Sequence, residues 1–560
     1  MHTLYTPVPP TVKNPLQFGL ACPGDARIAL SSLGYLTLFR QLDEHPAVAA
    51  MRLDMETIAD APVHDLDLLG VSFPFELDIL NIFKLFDAAQ VPYLSKDRGS
   101  KAFPLIFAGG PVPTSNPEPY ADFFDFFLIG DGEPAFDALI TLASRDDFRA
   151  ADKPEQLARI AQHVAGAYVP SRVNIDYEPY GLGVTSIESL DSLPIIKASV
   201  NEGERIRDLS SPENHMNRWI ASSPMITGES YFPDTFLVEI QRGCAHRCRF
   251  CLASYTTLPT QAASLDILKK TILAGLEHTN KIGLLGALVS EHPEFGQLCN
   301  WLNQQMQTRP EIQLSVASLR ADTLTPDIAA TMAKGGQKQL TIAIESGSEG
   351  LRRRIHKNLT TEAIIQAAKN AASGGIKSLK LYSMVGLPTE TEADVLETAQ
   401  LLKSIRKQVP HLRLTLGCST FVPKAATPFQ WQARLDGRQL KKRIGLLQKH
   451  LSGMADFHPS SARWDTVQAL LSRGDRRLGS VLVAWHQASL SHHNKSEPQR
   501  GSLSGLKQAW RNLEIPLKLP SMSAMAQAER SVEAALPWDM LSLGVSKAIL
   551  AEEARISLSR

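Results

Sequence analysis

Three of the six cysteines in this 560-residue chain fall within eight positions, as Cys244, Cys248 and Cys251 in the order CxxxCxxC. Three thiolates on one loop can each ligate one iron of a 4Fe-4S cluster, whereas a cluster used only for electron transfer normally takes four cysteines. One iron is then left without a protein ligand. Arg242, His246, Arg247 and Arg249 interleave the thiols and should favour their thiolate forms. Gly243 lets the chain turn tightly just after a predicted strand. The alternative is a structural zinc site completed by His246, but that histidine lies between two of the cysteines, where it closes a tetrahedron poorly.

With Phe250 before the last cysteine, the stretch resembles the signature of the radical S-adenosylmethionine superfamily. The resemblance implies a 4Fe-4S cluster whose open iron chelates the amino and carboxylate groups of S-adenosylmethionine. It also implies reductive cleavage of that molecule to methionine and a deoxyadenosyl radical.

Lys plus Arg equals Asp plus Glu at 58 each, so overall charge points neither to nucleic acid nor to a membrane surface. A hydrophobic content of 44% with 21% charged residues suits a globular protein. No run of about 18 apolar residues suggests a membrane span, and no secretory signal is evident at the amino terminus. Free thiols poised for a cluster need a reducing compartment, so the expected location is the cytoplasm.

The length asks for two or three domains. The expected fold is α/β: an N-terminal doubly wound parallel sheet, a central partial (β/α)6 barrel and a C-terminal helical region. Residues 1–170 alternate strand and helix patterns, with strands expected at 16–21, 48–55, 66–73 and 104–109 and helices at 28–42 and 79–89. Residues 171–230 lack clear periodicity and read as a connector holding some short strands. Residues 231–430 carry six strand-helix repeats, whose active site belongs at the carboxyl ends of the strands. Residues 431–560 are helical in pattern, with 497–505 as a polar loop.

In the first region, Gly109-Gly110-Pro111, Asn116-Pro117-Glu118-Pro119 and Ile129-Gly130-Asp131-Gly132-Glu133 resemble the cobalamin-binding-type domain of one radical S-adenosylmethionine class. Gly109 and Gly110 are therefore cofactor-binding candidates. The Asp-x-His-x-x-Gly string of cobalamin proteins is missing, because Val48 stands where the glycine of Asp43-Glu44-His45 would be required. Cobalamin binding is left open, either without a histidine ligand or lost with the fold retained.

In the barrel, the resemblance assigns cosubstrate contacts to Gly286, to Glu345-Ser346-Gly347 and to Gly386 in Met384-Val385-Gly386-Leu387-Pro388-Thr389-Glu390. Glu345 at the end of an apolar strand is costly to bury unpaired, which independently favours a role for it. Cys299 and Cys418 read as core residues, and a second cluster lacks cysteines, since only Cys22 lies in the first region. Trp464-Asp465, Arg473-Gly474-Asp475-Arg476-Arg477 and Leu536-Pro537-Trp538-Asp539 resemble the C-terminal part of a functionally obscure fused group of the superfamily. Trp485-His486 reads as helix packing, with a substrate pocket as the alternative.

The expected function is a radical modification of an unknown substrate. Methyl transfer or ring rearrangement follows if cobalamin binds. A non-catalytic iron-sulfur sensor or electron-transfer protein is the competing class. The expected partner is an electron donor such as a flavodoxin or ferredoxin. No nucleic-acid surface is evident, and no catalytic residue can be named.

Overall fold

The computed structural model describes residues 2–99, 102–198, 209–211, 214–491 and 501–559. Its first sheet has six strands: β1 (Leu16–Ala21), β2 (Val48–Leu53), β3 (Leu68–Ser72), β4 (Leu105–Gly109), β5 (Phe126–Leu128) and β6 (Ala167–Tyr168). They lie in the order β2-β1-β3-β4-β5-β6, with the first five parallel and β6 antiparallel. This is a doubly wound order, and its strands are apolar because both faces are covered.

Helices α1 (Leu33–Asp43), α3 (Gly132–Ala143) and α4 (Lys153–His163) cover one face, through residues such as Tyr35, Phe136 and Ile160. Helix α2 (Ile79–Ala88) lies on the other. The single helix expected over 28–42 is broken. The Ser31 hydroxyl bonds back to the Arg27 carbonyl at 2.6 Å, and Ser32 adopts extended backbone as the cap of α1.

The connector contains an antiparallel hairpin, β7 (Val173–Tyr177) with β8 (Val184–Ser189). Part of the 171–230 stretch, and of the loop expected at 497–505, lies outside the described residues. The described end of that loop, from Leu503, begins a helix.

Six parallel strands then form the half-barrel: β9 (Thr235–Arg242), β10 (Lys281–Gly286), β11 (Gln313–Val316), β12 (Gln339–Glu345), β13 (Ser378–Val385) and β14 (Arg413–Thr420). The two halves of this sheet meet through one bridge, Leu319 with Ile342. Beyond the six lies a seventh parallel strand, β15 (Asp456–Pro459), paired with β14 inside a stretch whose pattern reads as helical. Four residues ending in proline carry too little alternation to signal a strand. Helices α5 (Leu265–Leu276), α6 (Phe295–Thr308), α7 (Pro326–Lys334), α8 (Thr361–Ser373), α9 (Glu392–Gln408) and α10 (Gly437–Leu451) pack outside the sheet.

The tail does not stand apart. Helices α11 (Ala462–Ser472), α12 (Leu478–Ser491) and α13 (Leu503–Leu513) share one core with α2 and the second face of the first sheet. Trp485 is fully buried there, and its ring nitrogen donates to the Ser502 carbonyl at 2.8 Å. The neighbouring His486 lies 2.7 Å from Asp87 of α2, so this pair packs helices together rather than lining a substrate pocket.

Asn116 and Glu118 hold the Arg473-Gly474-Asp475-Arg476 turn. The Asn116 amide donates to the carbonyls of Ser472 (3.2 Å) and Gly474 (2.9 Å). Glu118 has no exposed surface and accepts from Tyr168, from Tyr177 at 3.0 Å and from Arg476 at 3.1 Å. Removing one partner of a buried ion pair leaves an uncompensated charge, at a cost of about 3–5 kcal/mol. The two tyrosine hydroxyls keep part of the solvation of Glu118, so Arg476→Met should cost toward the lower end of that range. It should lower the unfolding midpoint of the full chain by several degrees, whereas the double variant Arg476→Met with Glu118→Gln should regain part of the loss. An unchanged midpoint in the single variant would show that the tail is not anchored here.

Candidate active site

The cysteine loop leaves the carboxyl end of β9. Gly243 takes φ +79°, and a side chain there would come 2.2 Å from the Thr257 carbonyl oxygen, so only glycine fits. Arg247 also adopts positive φ; its carbonyl accepts from Tyr255 at 2.8 Å and lies 3.1 Å from the His356 ring. Arg249 is buried and binds the Arg354 carbonyl (2.6 Å) and the Glu553 carboxylate (2.9 Å). The loop is thus clamped from the end of the short helix Glu349–Arg354 that follows β12 and from the C-terminal helix Lys547–Ser559.

All three cysteines are free; Cys248 is buried, and Cys244 and Cys251 are partly exposed. Burial pushes the Cys248 thiol up to about 12; Lys357 opposes this, while Cys251, Glu345 and Cys244 add to it. Burial also raises Cys251, with Ser254 opposing it and Cys244 and Glu345 adding to it. Cys248 also approaches the His356 carbonyl at 3.6 Å, beside the Lys357–Glu345 pair, so the thiols, Glu345 and Lys357 are neighbours at the barrel mouth.

His246 turns away, with its Nε2 3.3 Å from Glu291, so it does not complete a Cys3His set. Among the described residues no three His, Cys, Asp or Glu side chains converge tightly enough to hold a single ion. A tetrahedral zinc needs such convergence, with sulfurs about 2.3 Å from one centre. A four-iron cluster instead spreads its thiolates over separate irons, and three thiols with a fourth corner open to a small molecule fit it.

Glu345 sits at φ +63° where the β12–β13 register slips between Ala343 and Glu345. Such strain in a non-glycine residue is typical of functional positions. Its carboxylate is 3.0 Å from Lys357 Nζ. Burial works against the Lys357 ammonium, but Glu345 and Cys248 outweigh it and keep the lysine charged. Arg320 is buried and donates to the Lys357 carbonyl at 3.1 Å while pairing with Asp322 at 2.8 Å, so it fixes the loop that carries the lysine. Lys357 had no signal in the sequence: it follows a short helix at no regular spacing from Glu345.

The other candidates divide. Gly286 pairs with Gln241 in the ladder, and a Cβ there would meet the Gln241 carbonyl at 2.9 Å, which puts it beside the cysteine loop. Ser346 and Gly347 are taken up structurally. Both carbonyls accept from the fully buried Arg352 (2.8 and 2.9 Å), and Gly347 packs against the backbone of Thr398 in α9. Gly386 turns at φ +84°, and its N–H donates to Glu390 at 2.7 Å. Burial raises the Glu390 carboxyl to about 7, with Gly386 and Arg443 opposing the shift.

Gly109 and Gly110 are half-buried at the carboxyl end of β4. At φ +121°, Gly110 starts the short helix Pro111–Ser115, and a side chain there would lie 3.0 Å from the Phe73 carbonyl. That short helix packs against the turn Ala253–Thr256, just after Cys251. The glycines of the next loop are also filled by the chain itself: a Cβ at Gly130 would lie 2.0 Å from the Ala198 carbonyl.

Two family descriptions match: "Radical SAM proteins, N-terminal" over residues 42–170, and "Radical SAM superfamily" over residues 238–402. An uncharacterized protein of Methanocaldococcus jannaschii is 28% identical over 424 residues, which is 75% of this chain and 80% of that one. A tRNA-2-methylthio-N(6)-dimethylallyladenosine synthase of Acidithiobacillus ferrooxidans is 25% identical over 310 residues, 51% of this chain and 63% of the synthase. The chain therefore spans less than two thirds of that synthase.

Among solved structures, the radical S-adenosylmethionine methyltransferase TsrM from Kitasatospora setae, with cobalamin and a [4Fe-4S] cluster bound, is similar in fold. Its TM-score is 0.51 at 11% identity, over 90% of this chain and 99% of that one. The apo form of the cobalamin-dependent S-adenosylmethionine radical enzyme OxsB also reaches a TM-score of 0.51, at 14% identity over 90% of this chain and 71% of that one. With a cysteine motif, a half-barrel and a doubly wound first domain that agree with both family matches, the chain is an enzyme of the radical S-adenosylmethionine superfamily.

Proposed function

We propose that the chain holds a 4Fe-4S cluster on Cys244, Cys248 and Cys251 and binds S-adenosylmethionine beside it, to start a radical modification of a substrate in the half-barrel. The observation that carries this reading is the meeting of three thiols with the Glu345–Lys357 pair at the carboxyl ends of the strands. With its open iron, such a cluster supplies the electron that cleaves S-adenosylmethionine to methionine and a deoxyadenosyl radical.

The chain's own residues do the positioning. Lys357 offsets the negative charge of the thiolates and of Glu345. Glu345, held in place by that lysine, presents a carboxylate oxygen that can accept from the cosubstrate's amino or ribosyl groups. Gly286 and Gly386 leave the strand ends free of side chains. Ala245 and Arg247 are exposed on the loop, which gives an electron donor such as a flavodoxin or ferredoxin a way to approach.

Cobalamin is a separate question, and the strand ends of the first sheet bear on it. Glu76, after β3, is buried against Lys424, Ser472 (2.6 Å) and Gln468 (3.0 Å). Asp131 and Glu133, after β5, face Arg242 at 3.5 and 2.8 Å. A corrin ring over these ends would have to displace both sets of contacts, so the residues do not fit it, and we read the first domain as a scaffold. A methylthiotransferase reading lacks cysteines for a second cluster, since Cys22 is alone in the first domain and burial raises its thiol to about 11.

Two outcomes are expected after anaerobic reconstitution with iron and sulfide. Reductant plus S-adenosylmethionine should release deoxyadenosine, and Cys248→Ala should lose both the cluster absorbance and the deoxyadenosine, while His246→Ala keeps the cluster. A cluster that forms but never yields deoxyadenosine would turn the reading toward a sensor or electron-transfer protein. Hydroxocobalamin added during reconstitution should wash away on gel filtration; a stoichiometric cobalamin spectrum in the protein peak would overturn the scaffold reading. Separately, Glu345→Ala should weaken S-adenosylmethionine binding by about tenfold or more, the effect of losing a hydrogen bond to a charged group, as read by calorimetry without reductant.

A further inference from the structure

The inner wall of the half-barrel carries a cation that the proposed chemistry does not use. Along β13, Leu379, Leu381, Ser383 and Val385 are buried toward the helices, so Lys380, Tyr382 and Met384 face the groove. Tyr382 is 42% exposed there, although it lies in the middle of a parallel sheet. Its ladder partners are small: Ala343 on β12 and Gly417 on β14. The ring lies over Gly417, where an added Cβ would come 2.8 Å from both Cδ1 and Cε1. Across the groove Ser315 and Ala317 are exposed, and Gly283 has no side chain, so the chamber has room.

The Nζ of Lys380 stands 4.7 Å from the centroid of the Tyr382 ring. Its ladder neighbours are Thr341 and Thr415, both hydroxyl-bearing. Other charges on the inner face are matched, Glu239 by Arg242 at 2.9 Å and Glu345 by Lys357. Among the described residues no carboxylate pairs with Lys380. A cation–π contact of this kind contributes about 0.5–2 kcal/mol and fixes direction without neutralising charge. The ammonium keeps its full attraction for an oxygen anion.

We propose that Lys380 and Tyr382 anchor the substrate, with Lys380 binding a carboxylate or phosphate group and Tyr382 walling the planar part beside it. The proposal rests on the half-barrel being the catalytic chamber. It also sets a scale. Because of the register slip, Glu345 is level with Ser383, three residues beyond Lys380 on β13, which is about 10 Å along the strand at about 3.3 Å per residue. The acid group of the substrate is therefore remote from the reacting carbon, and its binding energy holds that carbon near the cosubstrate.

The test uses the full chain with its cluster reconstituted and no reductant, titrated with benzoate, phenyl phosphate and benzamide by saturation-transfer NMR. At least one of the two anions should bind, and the tighter one identifies the acid group. Benzamide and the Lys380→Met variant should each show binding weaker by about tenfold or more, the effect of losing a charge-assisted bond. Lys380→Arg, which keeps the charge, should stay within roughly threefold, and Tyr382→Leu should weaken both anions. Equal binding of benzamide and the anions, no anion binding by the parent chain, or no change in Lys380→Met would each overturn the anchor. Deoxyadenosine release is measured separately, so its failure sinks the proposed chemistry, and failed anion binding beside intact release sinks only the anchor.

Discussion

One guanidinium joins the two halves of this molecule. Arg242, two residues before the first cysteine, sits among Glu239 of its own strand and Asp131 and Glu133 of the first domain. Burial works against its charge, but Glu239 and Glu133 outweigh that and hold it firmly protonated. Asp131 is pushed up by burial, with Arg242 opposing the shift. Lys197 strengthens the junction by donating to the carbonyls of Thr256 (3.2 Å) and Leu258 (2.6 Å), just beyond the cysteines. The cysteine loop is thus braced from the first domain, and the glycine-rich string after β5 is consumed in bracing it.

The same economy governs the tail. A doubly wound sheet needs helices on both faces, but 1–170 supplies only α2 and a few short turns for the second face. Helices α11–α13 complete that face, and Glu76, Asn116 and Glu118 fix them in place. The last helix then returns to the cluster loop through Glu553 and Arg249. First domain, barrel mouth and tail therefore form one closed set of contacts, and the second face of the first sheet shares its core with the tail.

How much of this was legible follows from range. Strand β1 was predicted to the residue because Leu16, Phe18 and Leu20 alternate, and the cysteine motif was legible because its spacing is local. The helix break at Ser31-Ser32 had a local signal in the paired serines, which compete with the helix backbone. Strand β15 had none, since its pairing with β14 crosses α10. Lys357 and Arg242 were illegible as partners, because their carboxylates come from 12 and more than 100 residues away. Strings such as Asn116-Pro117-Glu118-Pro119 and Ser346-Gly347 resemble family segments, and their structural contacts, to the tail turn and to Arg352, had no signal in them: a sequence marks that a backbone position is special, not what approaches it.

The half-barrel separates stability from chemistry by strand face. Its outer positions are mostly Leu, Ile and Val, each worth roughly 1.5–3 kcal/mol when fully buried, and they hold the sheet to the helices without help from the interior. The inner positions are consequently free to be small or polar, as Gly283, Ser315, Ala317, Thr341 and Gly417 are. A closed barrel of eight strands would fill that interior with layers of side chains. Six or seven strands leave one side open, and at that edge Leu33 of the first domain and Ala221 of the connector cover Leu237. A chamber built this way keeps an unpaired lysine and an exposed tyrosine without loss of fold, because neither contributes to the core that holds the strands together.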